Sequence, residues 1–180
     1  MANMNALIII LLIVAVPVVL FLLLGLFVKK EYSVERQITI NKTKQEVFDY
    51  VKFLKNQEHY SKWVMVDPAM KKNFKGTDGT VGFVYAWDGN KKAGKGEQEI
   101  KRLRDGESVD VELRFEKPFA GVATAFLTTT TAQAGQTVVK WGMNGSSAFP
   151  MNAMNPLILG ILGKDLEQSL FNLKTNLERV

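Results

Sequence analysis

Residues Ala6 to Val28 form a run of 23 residues without one charged or hydrogen-bonding side chain. As a helix rising ~1.5 Å per residue, it would measure about 34 Å, enough to cross a hydrocarbon layer of about 30 Å with modest tilt. A water-soluble helix of this length carries a polar face, and this one has none. A cleaved secretory signal fits less well. Residues Met1 to Asn5 hold no Lys or Arg, and the exit Leu26-Phe27-Val28-Lys29-Lys30 lacks a small-x-small cleavage pattern. Residues 1–30 are therefore expected to be an N-terminal transmembrane anchor, touching the lipid bilayer through residues 6–28. Pro17 inside the run removes one backbone donor and is expected to give a mild kink, tolerated in lipid. Lys29 and Lys30 flank only the C-terminal end, so the positive-inside rule places the rest of the chain on the cytoplasmic side of a cell (inner) membrane.

All 23 Lys and Arg and all 18 Asp and Glu follow the run, giving a net charge of +5. A mildly basic domain suits an anionic cytoplasmic leaflet. The cations are interspersed with acids and accompany no nucleic-acid motif, so nucleic acid is not the expected partner. With no Cys in the chain, disulfides, thiolate metal sites and cysteine nucleophiles are excluded. Residues 31–180 are ample for one domain with its own core.

Glu31-Tyr32-Ser33 reads as a short linker and Val34–Ile40 as a first strand. Thr43-Lys44-Gln45-Glu46 is a capping box opening a helix whose apolar positions are Val47, Phe48, Val51 and Leu54. A second short helix is predicted over Gln57–Trp63, ended by Asp67-Pro68. Period-two segments follow: Met70–Lys75; Thr80–Trp87, with Val81, Phe83, Tyr85 and Trp87 on one face; Gly94–Arg104; 109–115; 122–132; and 137–144. Turn signals at Gly76–Gly79, Asp88–Asn90, Asp105-Gly106 and Ala134-Gly135 separate them, and Pro118 stops the 109–115 segment. From Pro156 onwards Leu159, Leu162, Leu166, Leu170, Leu173, Leu177 and Val180 mark one apolar stripe on a single long helix.

Strand, two helices, a run of strands and one long helix imply an α+β helix-grip fold. A curved antiparallel sheet of about seven strands wraps around the C-terminal helix. A curved sheet and a helix leave space between them, where small-molecule sites occur.

The ordered set of short motifs resembles the SRPBCC superfamily of START-like, polyketide cyclase and lipid-transport proteins. Val34–Ile40 with Val47-Phe48, Tyr60-Ser61-Lys62-Trp63, Gly79–Gly82 ending in Trp87, Gly94-Lys95-Gly96-Glu97, Thr137–Trp141 and Leu170–Lys174 carry the likeness over about residues 33–180. The resemblance implies a helix-grip fold with a lipophilic pocket. The N-terminal anchor is no part of that family pattern.

Trp63, Phe83, Tyr85, Trp87, Phe115, Trp141 and Met143 are the pocket candidates, residue types that equally build an ordinary core. Gln98 shares a face with Gly96 and Ile100; it could orient a ligand, although a Gln is more often exposed and a solvent-side position is favoured for it. Phe149–Met154 reads as an irregular packed connection, with a lid or membrane-grazing role as the alternative. His59, the only histidine, has no Ser or Asp partner in sequence, so no catalytic residue is assigned. One His, no Cys and scattered carboxylates give no metal-ligand spacing, and no cofactor is expected. Gly94-Lys95-Gly96 lacks the third glycine and following helix of a dinucleotide loop. Asn41-Lys42-Thr43 and Asn144-Gly145-Ser146 match the glycosylation pattern but are better explained as a cap and a strand-ending turn. The expected function is a membrane-anchored, non-enzymatic module binding a hydrophobic small molecule or lipid. A polyketide cyclase-like enzyme and a ligand-free protein-interaction or stress-response module are the alternatives. Ligand identity and oligomeric state are not legible.

Overall fold

The computed structural model describes residues 2–179. Helix α1 (Ala2–Phe27) leads directly into strand β1 (Glu31–Ile40). Helix α2 (Lys44–Val51), a 3₁₀ turn (Leu54–His59) and the short α3 (Lys62–Met65) follow. The strands β2 (Lys71–Lys75), β3 (Val84–Asp88), β4 (Lys95–Arg104), β5 (Ser108–Lys117), β6 (Gly121–Gln133) and β7 (Gln136–Ser146) come next. A second 3₁₀ turn (Met151–Met154) precedes α4 (Asn155–Glu178). The seven strands form one antiparallel sheet in the order β1-β7-β6-β5-β4-β3-β2. This is a meander whose last strand is closed by the first, with α4 laid against β1: the helix-grip fold.

Period-two patterning decides which side of the sheet is covered. Ile100 on β4, Val109, Val111 and Leu113 on β5, Ala123, Ala125 and Leu127 on β6, and Val139, Trp141 and Met143 on β7 are all buried, with more exposed residues between most of them. Leu166, Leu170 and Leu173 of α4 lie fully inside, each worth about 1.5–3 kcal/mol of burial. Polar clamps fix the helix: Arg36 Nε donates to Glu167 Oε1 at 2.6 Å, Lys174 Nζ to the Thr39 carbonyl at 2.7 Å, and Asn176 Nδ2 to the His59 carbonyl at 2.6 Å. The capping box of α2 forms as read, with the Glu46 amide donating to Thr43 Oγ1 and the Thr43 amide to Glu46 Oε2. Val47, Phe48 and Val51 of α2 are buried.

Four expectations change. Glu31–Ser33 is not a linker, because Glu31 pairs with Ser146 and Ser33 with Asn144, and the ladder satisfies backbone groups that a free linker would leave to water. The helix over Gln57–Trp63 is split at Tyr60 and Ser61. The Gln57 carbonyl accepts from both of their amides, and Ser61 is already extended. β3 starts at Val84 instead of Thr80, since Gly79 and Gly82 take φ +75° and +86°, values foreign to a strand. Val81 consequently faces solvent at 60 % exposure.

The fourth is the Phe149–Met154 connection, which is an ordered turn gripping the end of α1. Asn152 Nδ2 donates to the carbonyls of Gly25 and Val28, both at 2.6 Å. Asn155 Nδ2 donates to those of Lys29 (2.9 Å) and Lys30 (3.1 Å). The Gly25 carbonyl is one of those the end of α1 leaves without a helical partner, and the other three belong to the 28–30 connection into β1. Phe149 packs on Gly25, where a Cβ would sit 3.1 Å from its ring. Over Ile8–Leu24 α1 is largely exposed, and Ile8–Phe27 is long and apolar enough to cross a membrane. The last stripe position, Val180, lies outside the described residues.

Candidate functional site

Between the inner face of the sheet, α3 and the N-terminal half of α4 lies a cavity of about 240 Å³. It exists because bulk is missing there. β6 offers Ala123 and Ala125 to the inside, and the first two turns of α4 supply only the half-buried Ile158 and Leu162, the tight leucine packing starting at Leu166. Trp63, Tyr85, Trp87, Gln98, Phe115, Trp141 and Met143 all line it. Phe83 does not. It shares a face with Tyr85 but sits one step away, stacked on Phe74 at 6.2 Å between ring centroids, as ordinary core.

The aromatic walls hold each other in place. Trp141 meets Trp63 edge-on at 5.7 Å and Tyr60 at 5.8 Å. Trp87 meets Phe115 at 6.0 Å and donates from Nε1 to the Ala93 carbonyl at 3.1 Å, so its indole nitrogen is satisfied. Its ring crosses β4 at Gly96, where any Cβ would stand 2.9 Å from the indole; only glycine allows that wall. The chain has three tryptophans, and all three face the cavity.

Gln98 is the one amide side chain on the sheet side of the cavity. The solvent-side position favoured for it is wrong: Gln98 is 6 % exposed. Its Nε2 donates to Gln57 Oε1 at 2.9 Å, a partner also buried. Pairing removes most of the cost of burying an amide. The structure shows no hydrogen bond to another described residue for the other amide atoms, Gln98 Oε1 and Gln57 Nε2, which leaves an acceptor oxygen and an NH₂ group available beside an apolar space. Gln57, Tyr32, Val111, Leu113 and Ala125 also line the cavity and were not singled out in sequence. Tyr32 had been read as linker, and the apolar residues carry no signal that separates a cavity wall from core.

Around the wall, the Tyr85 hydroxyl donates to Glu58 Oε1 at 3.4 Å, and Glu58 Oε2 pairs with Lys72 Nζ at 2.8 Å. Burial, and then the Glu58 charge, hold the Tyr85 hydroxyl well above the usual phenol range. His59 is exposed, 3.4 Å from the Tyr50 hydroxyl, and does not reach the cavity. No group of three or more His, Asp or Glu among the described residues is placed to hold a metal ion.

Neither a protein-family model nor a curated protein matches the chain by sequence. Solved structures match it by shape. Norcoclaurine synthase from Thalictrum flavum, in complex with dopamine and hydroxybenzaldehyde, superposes with a TM-score of 0.63 at 10 % identity, over 87 % of this chain and 92 % of that one. A Thermobifida fusca protein gives 0.63 at 12 % identity, over 82 % and 93 %. The Aha1 dimer from Colwellia psychrerythraea gives 0.57 at 12 % identity, over 82 % and 96 %. These likenesses establish the helix-grip fold, the architecture that the SRPBCC resemblance implies.

Proposed function

We propose that the chain is a membrane-tethered binding module, in which α1 crosses a bilayer and the cavity takes a hydrophobic small molecule or part of a lipid. The observation that carries this reading is an apolar cavity walled by every tryptophan in the chain and carrying one buried amide pair. Mostly apolar walls with a few convergent polar groups are the general make-up of small-molecule sites. The volume lies below the about 300–1,000 Å³ of drug-sized sites. It suits a compact molecule, or the end of a longer chain whose remainder emerges from the mouth. Lys29 and Lys30 favour a cytoplasmic domain.

The test is native mass spectrometry of the full chain released from nanodiscs after incubation with a panel of fatty acids, sterols and small aromatics. The expected result is a one-to-one adduct with one class, lost in Ala125→Phe, which fills the cavity from β6. No adduct with any class would contradict the binding reading and leave the domain as a protein-interaction scaffold. Turnover of the bound molecule, abolished by Tyr85→Phe or Gln98→Leu in a folded chain, would favour the cyclase-like alternative.

A further inference from the structure

The register of the sheet defines one end of it. Glu31 faces Ser146, Gly145 faces Ala123, Gly121 faces Phe115, Lys117 faces Lys95, and Asp88 faces both Lys95 and Lys71. This row runs across all seven strands at the end where α1 joins β1. The 89–94 and 118–120 turns lie there, as does the connection into α4.

Large apolar side chains are exposed at this end: Phe119 at 72 %, Val122 at 60 %, Leu157 at 59 % and Ile161 at 53 %, with Phe149 and Met151 beside the end of α1. At the opposite end the hairpin turns Asp105-Gly106 and Ala134-Gly135 carry none, and the 76–83 turn exposes a single large apolar side chain, Val81. Interspersed with the apolar residues are Lys29, Lys30, Lys71, Lys91, Lys92 and Lys117, for which the structure shows no ion pair among the described residues, and Lys95, paired with Glu116; the acids at this end are Glu31, Asp67, Asp88 and Glu116. An apolar ring with a basic collar is the pattern of a surface that lies in an anionic lipid interface. Of the nine half-exposed residues that line the cavity, Tyr32, Trp87, Ala93, Phe115 and Ile158 belong to this end; the other four are Trp63, Val64, Phe126 and Leu162. Asn152 holds the Gly25 carbonyl of α1 and Asn155 the Lys29 and Lys30 carbonyls just after it against the same face, so the helix cannot swing the domain freely.

We infer that this end of the sheet docks on the anionic leaflet from which α1 emerges, with Phe119, Val122, Leu157 and Ile161 seated among the headgroups and the mouth opening onto lipid. The ligand then exchanges between bilayer and cavity without crossing bulk water. The inference rests on the proposed reading of α1 as a membrane-spanning helix.

The chain has no cysteine, so single cysteines at Phe119, Leu157, Asp105 and Ala134 can carry an environment-sensitive fluorophore in the full-length protein. The variants are reconstituted in vesicles of mixed phosphatidylcholine and phosphatidylglycerol. Labels on Phe119→Cys and Leu157→Cys are expected to shift to the blue and to be quenched several-fold more by lipid-borne nitroxides than labels at the other two positions. Lys91→Glu with Lys117→Glu is expected to weaken that quenching. Protein that floats with the vesicles while all four labels behave as if in water would overturn the docked mouth and leave the anchor reading standing. Protein that fails to float would remove the anchor reading, and the docking with it.

Discussion

Buried polar side chains in this domain are informative because each either has its partner or lacks one. Gln98→Leu strands the buried Gln57 acceptor and should cost about 1–3 kcal/mol in a urea titration, whereas Gln57→Leu combined with Gln98→Leu should recover most of that loss. Tyr60 presents the opposite case, with a fully buried hydroxyl that has no hydrogen-bond partner among the described residues. Tyr60→Phe removes the unpaired oxygen, keeps the ring against Trp141, and should raise stability by about 1 kcal/mol in the same assay. Alternation made Tyr85, Phe115, Trp141 and Met143 legible as inward-facing positions. It also placed Gln98 on the face of Gly96 and Ile100. What it could not supply was Gln57, 41 positions earlier, and without that partner a Gln reads as exposed.

At the scale of elements, helices and strands followed from capping and periodicity, and the errors lie where long-range pairing overrode local signals. Glu31–Ser33 looks like a linker until β7 provides an edge to pair with. The clasp between the start of α4 and the end of α1 was equally invisible, because Asn152 and Asn155 give no local sign that they bind backbone more than 120 residues away. Asn152→Ala removes the side-chain donor to the Gly25 and Val28 carbonyls and Asn155→Ala that to Lys29 and Lys30, the last still held by the Ser147 amide; each should loosen the junction, seen as faster trypsin cleavage at Lys29-Lys30 with the melting of the domain little changed. The α2 cap adds a pH dependence. Hydrogen bonds from Thr43 hold the Glu46 carboxyl below its ordinary value of 4.5. The depressed value means that its stabilising contribution is complete above pH 4.5 and fades as the pH falls through the folded value. Glu46→Gln should therefore flatten the loss of thermal stability on acidification.

Across the whole molecule, one compositional choice makes the difference between a packed grip and an open one. Alanines on β6 oppose the thinly buried start of α4, and large aromatic residues frame the gap without filling it. The fold class was readable from element order, while the cavity was not, since its volume depends on side-chain sizes meeting from nine separate elements. The three tryptophans that line the cavity are native reporters of anything that enters it.

Their fluorescence provides the most direct test. The full chain in nanodiscs is titrated with a brominated fatty acid and compared with Ala125→Phe. Quenching that saturates at one equivalent per chain, and disappears in Ala125→Phe, is the expected result. Quenching that rises without saturation and is the same in both proteins would contradict occupancy of the cavity.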